Sequence, residues 1–142
     1  MRARRLIIAL TAGLAITNCG ATLAAASHEP IPVLGVLKQG AVSPYAIGWG
    51  TVRPKEISNG GDMSSVVVGI RWSTWGGSNV IGRGEGDYIP DPAKSNKGYG
   101  EVAVVVAFDL GKCQGHWAYR SYYVYFPKEH QKYPNLSICP AI

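Results

Sequence analysis

Apolar runs long enough to cross a membrane are missing from this sequence. The one apolar stretch near its start, Leu6 to Ile16, falls short of the roughly 20 residues a bilayer span needs, and no later segment comes closer. A sustained 3.6-residue apolar repeat is also missing after residue 26, and glycine takes 18 of 142 positions, which together argue against a helical domain. There is no Gly-x-Ser-x-Gly elbow, so the hydrolase nucleophile that sits on that turn is excluded. No second cysteine stands at ligand spacing beside Cys113 or Cys139, which disfavours a thiolate metal site. A basic stripe is absent too: the cations from Lys38 to Lys132 are scattered among acids, and a nucleic-acid surface needs them gathered on one element.

What is present begins with an export layout. A basic opening, Met1-Arg2-Ala3-Arg4-Arg5, leads into the short apolar stretch and then to Ala24-Ala25-Ala26 before Ser27. Those three parts predict a cleavable signal over residues 1–26 and a single domain over 27–142. Two other readings stay open at this point: lipidation at Cys19, although Asn18 is a poor fit before such a site, and twin-arginine export through Arg4-Arg5. Cleavage changes the charge. The chain has 14 basic and 9 acidic residues; removing Arg2, Arg4 and Arg5 leaves 11 against 9, a net of +2.

With Cys19 in the signal, Cys113 and Cys139 remain as an even pair in an oxidising compartment and are expected to bond. The loop they close, about 27 residues, is worth roughly 3 to 4 kcal/mol in the chain-entropy model.

Period-two patterns run through the rest. Residues 45–52 read as a strand weakened by Gly48 and Gly50 and ended by Pro54. In 64–75, parity sets Val66, Val68, Ile70 and Trp72 on one face and Val67, Gly69, Arg71 and Ser73 on the other. The Gly76-Gly77-Ser78 turn leads to a second arm whose Gly82, Gly84 and Gly86 share a face. A three-residue loop puts Trp72 opposite Gly82 and Ile70 opposite Gly84, with room for the large side chains, and sets Arg71 against Arg83. Residues 87–100 form a long polar loop. Residues 101–110 are apolar on both faces, as in a central strand, and 116–126 form a last strong strand. The segment 127–142 is pinned back by Cys139. The fold class is all-β: a small antiparallel sandwich or partly closed barrel of about five to seven strands with one disulfide.

Several segments together form a pattern: Gly48-Trp49-Gly50, Gly60-Gly61-Asp62, Ile70-Arg71-Trp72-Ser73-Thr74-Trp75-Gly76-Gly77, Gly82-Arg83-Gly84 and the late Cys113 and Cys139. It resembles the small secreted proteins of actinobacteria, including mycobacteria, that carry a Trp-x-x-Trp-Gly-Gly segment ahead of spaced glycines and a cysteine pair. The resemblance spans most of residues 45–139. It implies export and a disulfide, and no activity or catalytic residue.

Candidate chemistry is sparse. Gly82-x-Gly84-x-Gly86 imitates a phosphate cradle, but no helix follows it. His116 with Asp109 is the one pair open to a hydrolase reading, and it lacks an evident nucleophile. Glu85, Asp87 and Asp91, or His116 and His130, only faintly resemble a metal set. No cofactor and no metal are expected. The four tryptophans and eight tyrosines are the most informative surface. Trp75 has the parity opposite to Trp72, beside polar Ser73 and Arg71. With Tyr88 and Tyr99 it is the expected binding surface. The function expected is therefore a secreted, non-enzymatic binding protein of the bacterial envelope or exterior, whose partner is a protein or a glycan. The alternatives are a small hydrolase using His116 and Asp109, and a protease inhibitor presenting residues 127–137.

Overall fold

The computed structural model describes residues 29–36, 45–61, 66–91, 93 and 97–139. The expected signal segment 1–26 with Cys19, His28, and residues 37–44, 62–65, 92, 94–96 and 140–142 lie outside the described residues. Within them the protein is all-β. Seven strands form one sheet: β1 (Val33–Leu34), β2 (Val67–Trp72), β3 (Val80–Tyr88), β4 (Tyr99–Cys113), β5 (His116–Phe126), β6 (Gln131–Lys132) and β7 (Leu136–Ser137). The order is β1-β5-β4-β3-β2, with β6 and β7 also on β5. All pairings are antiparallel except β1 with β5, which is parallel.

The sheet curls into a half-barrel. Residues 47–58 bridge the gap between its two edges through single contacts: Leu34 with Thr51, Ile47 with Ser58 and Ile57 with Val67. The strand expected over 45–52 is thus reduced to isolated bridges. Gly48 and Gly50 take φ of +90° and +74°, a backbone that extended pairing does not allow. The 87–100 loop is shorter than expected, because β3 and β4 pair as far as Tyr88 with Tyr99.

The core lies on the concave side. Leu34, Ile57, Val67, Ile70, Val80, Val105, Tyr119, Tyr122, Val124 and Phe126 fill it. Trp72 lies over Gly82, as the glycine-faced register requires; a Cβ on Gly82 would fall 2.6 Å from Ile70 Cγ2 and 2.9 Å from Trp72 Cε3. Arg71 pairs with Arg83 in the same register. Parity, however, does not run unbroken along β2. The register slips between Val68 and Arg71, where Gly69 has φ +63°, so Gly69 and Ile70 together oppose Gly84. This bulge resets the alternation. Val67 and Ile70 both point inward, at 1% and 4% exposure, and Val68, expected on the core face, is 39% exposed. Trp72 packs on the core but is half-buried rather than enclosed.

The disulfide joins Cys113 at the end of β4 to Cys139, with Cα atoms 5.7 Å apart. It holds the C-terminal segment against β5, where β6 and β7 add to the edge.

Candidate functional site

Three tryptophans close the half-barrel by the same device. Each indole packs against the core and donates its N–H to a carbonyl of a crossing segment: Trp49 to Ser58 at 2.9 Å, Trp72 to Pro54 at 2.8 Å and Trp75 to Pro32 at 2.7 Å. Trp75 stands edge-on to Trp72 and to Tyr119, with ring centroids 4.9 and 5.4 Å apart. The Tyr119 hydroxyl accepts from Gly76 N–H and donates to the Gly77 carbonyl, both at 2.9 Å, which fixes the turn that follows Trp75. Burial pushes the Tyr119 phenol up, and the Gly76 N–H pulls the other way.

Trp75 is half-buried and borders a cleft of about 230 Å³. Trp117, the second residue of β5, forms another wall. Residues 29–32 and the pair Val52 and Arg53 complete it. The parallel pairing of Val33 with Ala118 sets the segment before β1 beside Trp117. Arg53 is exposed and carries φ +51°, a left-handed backbone that is costly for a non-glycine residue and that tends to concentrate at working sites. Among the described residues, neither Arg53 nor Glu29 has a hydrogen-bond or ion-pair partner. The cleft is therefore lined by two indoles together with one guanidinium and one carboxylate that have no partner of their own.

Tyr88 and Tyr99 do not join Trp75. Trp75 precedes β3 and Tyr88 ends it, so about 26 Å of strand separates them. The two tyrosines meet each other at 5.6 Å, and Tyr88 continues to Phe126 and Phe126 to Tyr133, an aromatic ladder closing the opposite end. Tyr99 is 43% exposed. Its phenol is shifted up by partial desolvation and by its hydrogen bond with Glu129.

The hydrolase pair is not assembled. Asp109 is held by Arg120 across the β4–β5 ladder, with Arg120 Nη2 2.5 Å from its carboxylate. His116 opposes Cys113, four residues from Arg120 and about 13 Å along the strand. Among the described residues the His116 side chain makes no hydrogen bond or ion pair, and no group of three or more potential metal ligands occurs. Residues 127–137, considered as an inhibitor loop, do not project. They fold back on β5 as β6 and β7, with Lys128 paired to Glu101 at 2.8 Å and Tyr133 accepting from Ile89 N–H.

Trp117, Arg53 and Glu29 were not singled out by sequence reasoning. The two-residue β1 strand that draws the N-terminal segment beside Trp117 carries no periodic signal. The chain matches no family model, no curated protein and no solved structure.

Proposed function

We propose that this is an exported, non-enzymatic binding protein of a bacterial envelope or exterior, and that the cleft between Trp75 and Trp117 is its ligand site. The observation that carries the reading is the pairing of two indoles with an unpartnered, backbone-strained arginine in one concavity. Flat aromatics stack on sugar rings and anchor protein side chains, and arginine adds a planar donor. Size separates the ligand classes. At about 230 Å³ the cleft is smaller than the roughly 300–1,000 Å³ usual for small-molecule sites. It suits one unit of a polymer, a sugar ring or one side chain of a larger partner, better than an enclosed metabolite. Export is supported by the signal-like opening of the sequence and by the Cys113–Cys139 bond. No helix among the described residues is long and apolar enough to cross a membrane. The resemblance to small secreted actinobacterial proteins belongs to the same proposal.

The test is capture of material from the producing cell's own envelope fraction by the purified protein, with Trp117→Ala and Arg53→Ala as comparisons. Arg53 is exposed, and Trp117 is half-buried but lies outside the core cluster and makes no side-chain hydrogen bond among the described residues, so the variants are expected to fold and to lose capture. Undiminished capture by both would remove the cleft from consideration.

A further inference from the structure

Strand β4 is apolar on both faces, and the face turned away from the core stays partly open to solvent. Ala103, Val105 and Ala107 point inward and are fully buried. Val102, Val104, Val106 and Phe108 have the opposite parity, toward the convex side; Val102 is exposed, Val106 and Phe108 are half-buried, and Val104, set between Arg83 and Tyr125, is 7% exposed. Cross-strand partners share a face, so the register lays out that surface in rows. One row is Val68, Glu85 and Val102. The next is Arg71, Arg83, Val104, Tyr125 and Lys132. A third is Ile81, Val106 and Tyr123. Val102 is 51% exposed, Ile81 44% and Val68 39%.

The charges on this face are unbalanced within one molecule. Arg71 and Arg83 are directly opposed, a like-charge pair that destabilises a ladder. Among the described residues neither has an acidic partner. Glu85 lies one row away on the same strand as Arg83 and forms no ion pair either. Cation and anion are two residues apart on β3, at one height above the sheet. That spacing is self-complementary. A two-fold axis running across the strands at the level of Gly84 carries Glu85 of a second copy over Arg83 and beside Arg71, and the reciprocal contact forms by symmetry. The same operation lays Val102 over Val104.

We propose that the convex face of β2, β3 and β4 is the interface of a symmetric dimer, occupied by the same face of a second copy. Face-to-face packing is how antiparallel sheets cover a second apolar surface, and a two-fold makes one patch serve both sides. Tyrosine and arginine on an aliphatic bed are the residue types that concentrate binding energy at protein interfaces. The proposal is independent of what the cleft holds, since no residue lining the cleft belongs to these rows. Its consequence is a particle with two clefts, which raises the avidity of weak single sites for a repeating polymer.

The experiment is analytical ultracentrifugation of the purified protein from micromolar to millimolar concentration, with three charge variants. The wild type is expected to show a reversible monomer–dimer equilibrium. Arg83→Glu and Glu85→Arg each place like charges across the two-fold and are expected to raise the dimer dissociation constant by about tenfold or more. The double variant Arg83→Glu/Glu85→Arg restores opposite charges and is expected to recover most of that loss. Circular dichroism and thermal melts confirm that each variant is folded; any variant that is not is replaced by Arg71→Glu, which tests the same contact. A strictly monomeric wild type, single reversals that leave the dimer unchanged, or a double variant no better than the singles would each overturn the proposal.

Discussion

Glycines in β2 and β3 carry different duties, and substitution separates them. Gly82 is required for space: a Cβ there would meet Ile70 and Trp72 at under 3 Å. Gly69 is required for conformation: its φ is +63° and no atom lies within 4 Å of the added carbon. Gly82→Ala is expected to cost about 1–3 kcal/mol through overpacking. Gly69→Ala is expected to cost nearer 1 kcal/mol through the left-handed backbone alone. Urea denaturation of the two variants reads the difference. Tyr119 and Tyr122 supply a pH dependence. Both are buried, and desolvation raises both phenols above the ordinary tyrosine value, although Asn59 opposes the shift at Tyr122. A raised tyrosine value means the folded state keeps its proton longer. The associated stability is complete below about pH 10, the unfolded value, and is lost as pH rises through the folded-state values. Alkaline titration followed by phenolate absorbance should therefore show the buried Tyr119 and Tyr122 ionising late, together with unfolding, besides the exposed Tyr99, whose phenol is also raised. Tyr122→Phe should remove one of them.

Elements too short to stand alone close this sheet, and their hold comes from cross-links. Strands β1, β6 and β7 have two residues each. What keeps β7 against β5 is the Cys113–Cys139 bond together with the Ser121–Ser137 and Tyr122–Leu136 pairings. The double variant Cys113→Ser/Cys139→Ser is expected to lose about 3–4 kcal/mol by loop-entropy reasoning. Chemical denaturation measures that loss, and hydrogen exchange should show it first at β7 and its neighbours on β5. The tryptophan closures act likewise at the other side. Trp72 and Trp75 are both half-buried, both hydrogen-bonded to a proline carbonyl and in edge contact with each other. Replacing either by Ala is expected to cost a similar amount, about 2–3 kcal/mol, below the 3–5 typical of a fully enclosed large aromatic. A cost for Trp75→Ala close to zero would show that it does not tie the N-terminal segment down.

At the scale of the whole molecule, stability and the proposed binding overlap at Trp75 and separate at Trp117. Trp75 is both a closure and a cleft wall, so its removal is expected to weaken the fold and the proposed binding together. Trp117 borders the cleft without a hydrogen bond of its own, and Trp117→Ala is expected to leave the melting temperature nearly unchanged while reducing capture of envelope material. Thermal melts and capture on the same samples decide this. If Trp117→Ala instead melts far below the wild type, the indole is chiefly a packing residue and the cleft loses one of its two platforms.

Local pattern carried much of this architecture. Alternation marked β2 to β5, the glycine face of β3 fixed its register against β2, and the cysteine count identified the disulfide. Each of these depends on neighbours in sequence or on a single pair, and so is legible in one chain. The break in β2 was not, because parity reasoning assumes an unbroken pleat, and the Gly69 bulge makes Val67 rather than Val68 share the core side with Ile70 and Trp72. The grouping of Trp75 with Tyr88 and Tyr99 failed for a related reason: all three lie near strand ends, but the length of β3 puts them at opposite ends of the sheet. The cleft depended on tertiary structure entirely. It forms where a two-residue parallel strand brings residue 33 beside residue 118, a contact between segments remote in sequence. No periodicity announces such a contact, because its free energy comes from closing the core rather than from the residues that touch.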